Sequence, residues 1–194
     1  IRLSLVGSEM CIRDSFHPGS HKGSGLQKGI LRVVEAIKNV LDTHDNPCRL
    51  LVETTAGQGD SVGCRFEHLA EILDRVQSPQ RLGICLDTCH VFAAGYELRT
   101  KDGFKRTFAE FDRIIGLNHL KVIHANDAKT DFNSGVDRHE HIGKGKLGRE
   151  AFRNLLADPR LRKLPFILET PKGQSPGGRD YDMLNFAMLR RFVG

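Results

Sequence analysis

The sequence is organised as a repeated unit in which a short apolar run is followed by a polar residue, a loop and an amphipathic helix. The polar residues that end these runs recur at intervals of roughly 35 to 45 residues, which is the size of one strand–helix unit. They are His17, Glu53, Asp87, His124 and Glu169. Because parallel sheets covered by helices read as apolar runs alternating with helices, the repeat predicts an α/β fold. Such folds carry their active sites at the C-terminal ends of the strands, where these residues are expected to lie.

Apolar periodicity gives the predicted bounds of the elements. The helices are predicted over residues 26–41, 65–76, 104–117, 147–156 and 183–192. The strands are predicted over residues 49–52, 82–86, 120–123 and 165–168, after a strand that ends just before His17. About five strands are enough for an open sheet and too few for an eight-stranded barrel. The two interpretations differ in whether strand–helix units at the N-terminus are missing.

The first fifteen residues, IRLSLVGSEMCIRDS, do not continue this pattern. They have no initiating Met, and they lack the apolar centre and small-residue cleavage site of a signal peptide. They resemble a translated sequencing adapter joined to a truncated gene. We therefore predict that residues 1–15 are a leader that is not native to the gene. Residues 16–194 are then predicted to be the C-terminal part of a single barrel domain whose N-terminal units are missing.

The composition excludes two classes of protein. No stretch approaches the ~18 consecutive apolar residues of a membrane-spanning helix, so no membrane partner is predicted. The five cysteines are odd in number and follow no repeated CxxC pattern, which argues against a disulfide framework. A reducing, cytoplasmic location is therefore predicted, namely the prokaryotic cytosol, or the nucleus or mitochondrion if the source is eukaryotic. The net charge of +5 permits a polyanionic partner without requiring one.

Three further candidates lie close to the strand ends. His90 follows Asp87 closely enough that one helical turn after the strand would bring both side chains onto one face. Asp137 and His139 are alternate residues of a polar loop, where such side chains can point the same way. The complete set of candidate metal ligands is His17, Glu53, Asp87, His90, His124, Asp137, His139 and Glu169. A single Glu or His of this kind is ordinarily a helix cap or a backbone-bonded side chain, so the prediction depends on the joint pattern.

The charge of this set indicates what it would bind. Four carboxylates that converge at one edge of a sheet repel one another unless protons or cations neutralise them. Imidazole beside carboxylate suits zinc or manganese better than calcium or magnesium. Two divalent ions would balance four carboxylates, and three would leave a surplus of positive charge. Such a surplus suits a phosphodiester, since metals there activate water and stabilise the attacking and leaving oxygens.

Six segments carry a resemblance to a known family: FHPGSH, ETTAGQG, CLDTCHVFAAGY, HANDAK, VDRHEHIGKG and LETPKG. They resemble endonuclease IV, the zinc-dependent apurinic/apyrimidinic (AP) endonuclease, in family order from Phe16 to the C-terminus. The resemblance implies a TIM (β/α)8 barrel with three zinc ions, incomplete here and represented by about its last five strands. It also implies a monomer, in the intact form, that acts in base excision repair on double-stranded DNA. The family cleaves 5′ to an abasic site and leaves a 3′-hydroxyl and a 5′-deoxyribose phosphate.

The resemblance also implies a role for the ligands of two of the zinc ions. Glu53 would bridge the first two ions, and His17 would be one of two histidines on the first. Asp87, His124 and Glu169 would complete the second site. Glu53 and Glu169 would also be the catalytic carboxylates, which position or deprotonate the attacking hydroxide.

The same resemblance places the third zinc ion between His90, Asp137 and His139. Arg138, which lies between two of these ligands, would contact a DNA phosphate, with an ordinary solvated loop arginine as the alternative. An isomerase with one or two metals has no evident use for this third set. The third set is therefore the feature that favours an endonuclease.

Two alternative functions stay open. One is a sugar isomerase or epimerase of the xylose-isomerase-like barrel type, which also places Glu, Asp and His at strand ends around a divalent metal. The other is a fragment that binds metal without catalysing a reaction.

One part of the family pattern is not recognisable in this chain. The family has a second histidine for the first zinc ion on an earlier strand, and residues 1–15 contain no His. We therefore predict that the first zinc site is incomplete here, with Mn²⁺ as an alternative to Zn²⁺ at the remaining ligands. An exposed sheet edge is also predicted where the missing strands would pair, and such an edge favours self-association.

Overall fold

The computed structural model of the chain describes residues 13–45 and 47–192. The strands within these residues are β1 (Arg13–Phe16), β2 (Arg49–Glu53), β3 (Leu82–Asp87), β4 (Leu120–His124), β5 (Asp127–Ala128), β6 (His139–Glu140) and β7 (Phe166–Ile167). The helices are α1 (Leu26–Thr43), α2 (Phe66–Val76), α3 (Thr88–Ala93), α4 (Lys101–Ile114), α5 (Gly148–Ala157) and α6 (Tyr181–Arg190), with a 3-10 turn over Leu117–His119. Five of the strands form one parallel sheet in the order β1–β2–β3–β4–β7. Beyond the end of β4, β5 and β6 pair antiparallel.

The sheet has two different faces because alternate residues of a strand point to opposite sides. Val52 and Ile84 belong to the main hydrophobic core, together with side chains of the helices. A separate small cluster of buried residues consists of Leu51, Cys85 and Val122. Each member of this small cluster is followed two residues later by a candidate ligand. The ligands at the ends of β2, β3 and β4 therefore point to the same face as the small cluster, away from the main core.

The helices pack on the sheet through aromatic side chains. Phe66, Phe108, Phe111 and Phe152 are fully buried. Phe66 stacks on Tyr96 with ring centroids 4.0 Å apart and meets Phe111 edge-on at 5.1 Å. Burying one Phe stabilises a fold by roughly 1.5–3 kcal/mol relative to exposing it, so this core fixes the strand ends in place. None of the described helices has the length and apolar character needed to cross a membrane.

The predicted arrangement of five parallel strands is confirmed, and the helices lie within a few residues of their predicted bounds. The largest difference is in α4, which covers Lys101–Ile114, whereas the sequence predicts 104–117. The Thr100 side chain accepts a hydrogen bond from Gly103 N (3.1 Å) and starts the helix before its first apolar residue. Gly116 follows the end of the helix with a φ of 89°, a positive φ that favours glycine. The short strands β5 and β6 are not predicted, because two residues show no periodicity.

The strand β1 begins within the segment that the sequence predicts to be a leader. Residues Arg13–Phe16 pair in parallel register with Arg49–Val52. The remainder of the predicted leader, residues 1–12, lies outside the described residues. Among the described strands, β1 forms one edge of the parallel sheet and β7 forms the other.

Candidate metal centre

The eight predicted ligands lie at the C-terminal end of the sheet or in the segments that follow it. Glu53, Asp87 and His124 end β2, β3 and β4, and the register of the sheet pairs Asp87 with His124. His17 and Glu169 follow β1 and β7. The other three lie beyond the strand ends, and they are His90 on α3, Asp137 in a loop and His139 on β6. Parallel pairing thus gathers residues that are far apart in the sequence at one edge of the sheet.

Four of these residues form what we call the carboxylate group: Glu53, Asp87, His124 and Glu169. One donor atom from each lies within 4.8 Å of the others. The Nδ1 atom of His124 is 3.0 Å from Glu53 Oε1, 3.0 Å from Glu169 Oε2 and 4.0 Å from Asp87 Oδ2. One imidazole nitrogen therefore faces three carboxylates and can donate at most one proton to them. Converging oxygen and nitrogen donors of this kind are the environment of a divalent cation.

Three further residues form what we call the imidazole group: His90, Asp137 and His139. His90 Nδ1 lies 2.8 Å from the Thr54 carbonyl oxygen, and His139 Nδ1 lies 3.2 Å from the Glu169 carbonyl oxygen. Because a carbonyl only accepts, both Nδ1 atoms carry protons, which leaves each Nε2 to act as a ligand. The two Nε2 atoms face each other at 3.4 Å, and Asp137 oxygens lie 3.1 Å from one and 3.3 Å from the other. Two lone pairs at this distance repel unless a proton or a metal cation lies between them.

His17 lies at the open side of the cluster. Its Nε2 atom is 3.5 Å from Glu53 Oε1, and its side chain is half-exposed. Its ring meets that of His90 edge-on, with centroids 5.0 Å apart. Donor atoms of these three residues lie within 4.8 Å of one another. Glu53 Oε1 is therefore within 3.5 Å of both His17 and His124, and its predicted bridging role stays a prediction.

The acid–base properties of the cluster follow from its charges. Burial alone raises the pKa of Glu53, but hydrogen bonds from His124 and His17 outweigh burial and lower the pKa to about 2. Burial lowers the pKa of His90, but Asp87 and the other nearby carboxylates outweigh it and raise the pKa to about 9. The pKa of His124 is likewise raised by its hydrogen-bonded neighbours, against the effect of burial. The imidazoles of His90 and His124 therefore hold protons that neutralise the carboxylates, and a divalent ion would displace those protons.

The residues present fit a zinc or manganese ion. Imidazole nitrogens and carboxylate oxygens are mixed, whereas Ca²⁺ and Mg²⁺ prefer oxygen ligands alone. The facing Nε2 atoms of the imidazole group could both coordinate one cation, which would replace the proton that His90 holds. Cys85 also brings its sulfur within 4.8 Å of donor atoms of Glu53 and His124. Burial raises the pKa of Cys85 to about 12, so its thiol stays protonated and is a poor ligand.

Arg138 is exposed at the rim of the cluster. Its guanidinium donates one hydrogen bond to the carbonyl oxygen of Asp137 (2.6 Å). A guanidinium has further N–H groups beyond this bond, so its geometry is compatible with a phosphate ligand. The predicted contact with DNA stays a prediction.

Polar residues that the sequence does not single out hold the candidate ligands in place. Thr54 accepts a hydrogen bond from Asp87 N through its hydroxyl (2.9 Å), in addition to the bond from His90. Asp87 Oδ1 accepts from His90 N (2.9 Å), so this ligand also caps α3. Thr88 and Asn126 hydrogen-bond to each other between β3 and β4. Only their position could have identified Thr54, Thr88 and Asn126 in the sequence, because each lies within two residues of a candidate ligand that ends a strand.

The fold and the cluster together define a class of protein, an α/β barrel with potential metal ligands at the C-terminal ends of its parallel strands. The family model described as “Xylose isomerase-like TIM barrel” matches residues 5–187. The chain therefore belongs to the xylose isomerase-like TIM barrel family, and the predicted incomplete TIM barrel is confirmed.

Within this family, the chain is similar to proteins named endonuclease 4 or endonuclease IV. “Probable endonuclease 4” of Chloroflexus aurantiacus is 49% identical over 178 residues, which are 91% of this chain and 61% of that protein. The crystal structure of endonuclease IV from Thermus thermophilus matches with a TM-score of 0.73 and 36% identity, over 93% of this chain and 61% of that chain. The predicted resemblance to endonuclease IV is thereby confirmed. The chain spans about three-fifths of the length of these relatives. A D-tagatose 3-epimerase-like protein, at 18% identity and a TM-score of 0.59, shares the fold.

Proposed function

We propose that the chain is part of a zinc-dependent DNA repair endonuclease. Its reaction would be hydrolysis of the phosphodiester 5′ to an abasic site in double-stranded DNA, which leaves a 3′-hydroxyl and a 5′-deoxyribose phosphate. The observation that carries the proposal is the imidazole group, in which the Nε2 atoms of His90 and His139 face each other beside Asp137. This group adjoins the carboxylate group and so supplies a second place for a divalent ion. Adjacent metal ions suit in-line displacement at a phosphodiester.

Under this proposal, each group of ligands has its own ion. The carboxylate group would hold one Zn²⁺, and the imidazole group would hold another. His17 and Glu53 would contribute to a further position, which the sequence predicts to be incomplete. The ions, when bound, would supply positive charge and Lewis acidity to the phosphodiester. The same donors would also accept Mn²⁺.

The two proposed catalytic carboxylates differ in their access to solvent. The side chain of Glu53 is 5% exposed, whereas that of Glu169 is 44% exposed. A hydrogen bond from His124 lowers the pKa of Glu169, which keeps its carboxylate ionised. Glu169 would therefore accept a hydrogen bond from the attacking water and orient it towards the phosphorus. Glu53 would act from within the ligand cluster, and Arg138 would hold a backbone phosphate at the rim.

The test is cleavage of a duplex oligonucleotide that contains one abasic site, with the undamaged duplex as the substrate control. We expect cleavage in the presence of Zn²⁺ and its loss in EDTA. The variant Glu169→Gln keeps the size of the side chain and removes its charge, so we expect cleavage to fall by roughly 10²-fold or more. Glu35→Gln, on the exposed face of α1, is the matched control and should cleave like the wild type.

Other outcomes would identify the alternatives. Turnover of a ketose without cleavage of DNA would favour the sugar isomerase or epimerase. A zinc-dependent rise in the free energy of unfolding without either activity would identify a metal-binding fragment that is not catalytic. If zinc binds only the native state, this rise is about 2.7 kcal/mol at a free zinc concentration of a hundred times Kd. The proposal would be refuted if the chain cleaved no abasic duplex and its free energy of unfolding did not rise with zinc.

A further inference from the structure

Asn126 is a fully buried amide that joins two ligand-bearing strand ends. Its Nδ2 donates to Asp87 Oδ2 (2.6 Å), and its Oδ1 accepts from Glu169 N (2.8 Å). Asp87 ends β3 and Glu169 follows β7, so the amide connects the two strands that flank β4 in the sheet. Both ends of the amide are thus occupied by ligands of the carboxylate group.

The backbone of Asn126 is itself fixed. The hydroxyl of Thr88 donates to the Asn126 carbonyl oxygen (2.6 Å) and accepts from Asn126 N (2.9 Å). Thr88 is the first residue of α3 and is fully buried. Because both backbone polar groups of Asn126 bond to one rigidly held hydroxyl, its side chain is aimed at Asp87 before any ligand binds.

The bond from Asn126 completes the constraint on the Asp87 carboxylate. Oδ1 accepts from His90 N (2.9 Å), and Oδ2 accepts from Asn126. A carboxylate with a fixed donor on each oxygen cannot rotate freely. Oδ2 is then held 4.0 Å from His124 Nδ1 and 3.6 Å from His139 Nε2, between the carboxylate group and the imidazole group.

Glu169 needs the bond for a different reason. It follows an edge strand of two residues, which pairs with β4 through few ladder positions. The amide of Glu169 is fixed by Asn126, and its carbonyl accepts from His139 Nδ1 (3.2 Å). The bond from Asn126 therefore fixes the backbone that presents both the Glu169 carboxylate and the acceptor for His139.

We propose that Asn126 is a positioning residue that holds Asp87 and Glu169 in the arrangement that binds Zn²⁺. The inference rests on the proposed function, since it concerns the ligands of that site. An asparagine supplies one donor and one acceptor at this reach, whereas an ionised aspartate supplies acceptors alone. Removing a side chain that orients metal ligands typically weakens metal binding about 10- to 100-fold.

The first measurement is made on the full chain without metal. Amide hydrogen exchange at Glu169 is expected to be roughly tenfold faster in Asn126→Ala, because its acceptor is gone. In Asn126→Asp the acceptor remains, so exchange at Glu169 is expected at the wild-type rate. Thr107→Ala is the control, since Thr107 is buried and its hydroxyl donates to the Glu97 carbonyl oxygen (3.0 Å), away from all candidate ligands.

The second measurement is zinc affinity, by competition with a chromophoric chelator. Both Asn126 variants are expected to bind zinc roughly 10- to 100-fold more weakly, whereas Thr107→Ala should bind like the wild type. In Asn126→Asp the donor to Asp87 is replaced by a like charge, so affinity falls although the Glu169 amide stays protected. The aspartate variant also keeps the size of the side chain, so it decides the question if the alanine variant does not fold.

The outcomes separate this inference from the proposed function. Wild-type zinc affinity in the Asn126 variants would overturn the inference, even if their melting temperatures fall. Wild-type exchange at Glu169 in Asn126→Ala would overturn it as well. If the wild-type chain binds no zinc, the proposed function fails, and the exchange measurement alone decides whether Asn126 fixes Glu169.

Discussion

The zinc-free chain is expected to lose stability as the pH rises above neutrality, and His90 is one of the cluster histidines responsible, together with His124. Its side chain is 1% exposed. Nearby carboxylates, foremost Asp87, outweigh the effect of burial and raise its pKa from 6.5 to about 9. A group whose pKa is higher in the folded state than in the unfolded state makes its full contribution to stability at any pH well below the unfolded-state pKa. That contribution is lost as the pH rises through the folded pKa, so the sensitive range is pH 6.5 to about 9.

The size of the effect follows from the size of the pKa change. A change of one in pKa corresponds to about 1.36 kcal/mol, so a rise from 6.5 to about 9 corresponds to about 3 kcal/mol. That is a large part of the roughly 5–15 kcal/mol by which a typical domain is stable. Glutamine does not titrate. We therefore expect the difference in unfolding free energy between the wild type and His90→Gln to shrink by about 3 kcal/mol across this range.

The assay is urea denaturation in EDTA at about pH 6, 7.5 and 9, followed by far-UV circular dichroism because the chain has no Trp. His44→Gln is the matched control, since His44 is exposed at the end of α1, and it should follow the wild type. Added zinc should reverse the trend, because metal binding releases protons from the imidazoles and strengthens as the pH rises. The reasoning is wrong if His90→Gln keeps the wild-type pH dependence in EDTA.

Two further predictions concern the segment that carries Asp137 and His139. Gly145→Ala is expected to lower the free energy of unfolding by about 1–3 kcal/mol, because the added Cβ would collide with the Ala128 carbonyl oxygen and the Asp127 carboxylate. The measurement is urea denaturation, and the control is Gly177→Ala, whose Cβ would meet open space and which should change little. Equal losses in the two variants would contradict this explanation. Arg138→Ala is expected to weaken binding to abasic duplex and to reduce the slope of log affinity against log salt by about one, with unfolding free energy unchanged within about 0.5 kcal/mol. An unaltered salt slope would show that Arg138 is an ordinary solvated arginine.

The clustering of the candidate ligands at the strand ends could be predicted from the sequence, because each one directly ends an apolar run. Glu53, Asp87 and His124 each end an apolar run, and parallel pairing alone brings such ends to one edge of the sheet. The position of His139 beside His90 depends on a long-range contact, the pairing of Ala128 with His139 in β5 and β6. Strands of two residues leave no periodic signal. The grouping of His139 with His90 could therefore be predicted only from the resemblance to a family, and not from the spacing.

Asn126 illustrates a second limit of sequence reasoning. An asparagine after a strand ordinarily indicates a turn, because its side chain bonds well to nearby backbone. Its burial and its bonds to Asp87 and Glu169 exist only once β3, β4 and β7 are side by side. Thr100 shows the same limit on a smaller scale, since a capping hydroxyl adds a turn to α4 that apolar periodicity does not contain.

Asp87 belongs to a helix and to the ligand cluster at the same time. One of its oxygens caps α3, the helix that carries His90, and the other faces His124 and His139. A cation bound by this carboxylate therefore changes the charge that meets both the first turn of α3 and the imidazole group. Linkage makes such coupling reciprocal. Loading one group with zinc is therefore expected to change the zinc affinity of the other, by the same factor whichever group is loaded first.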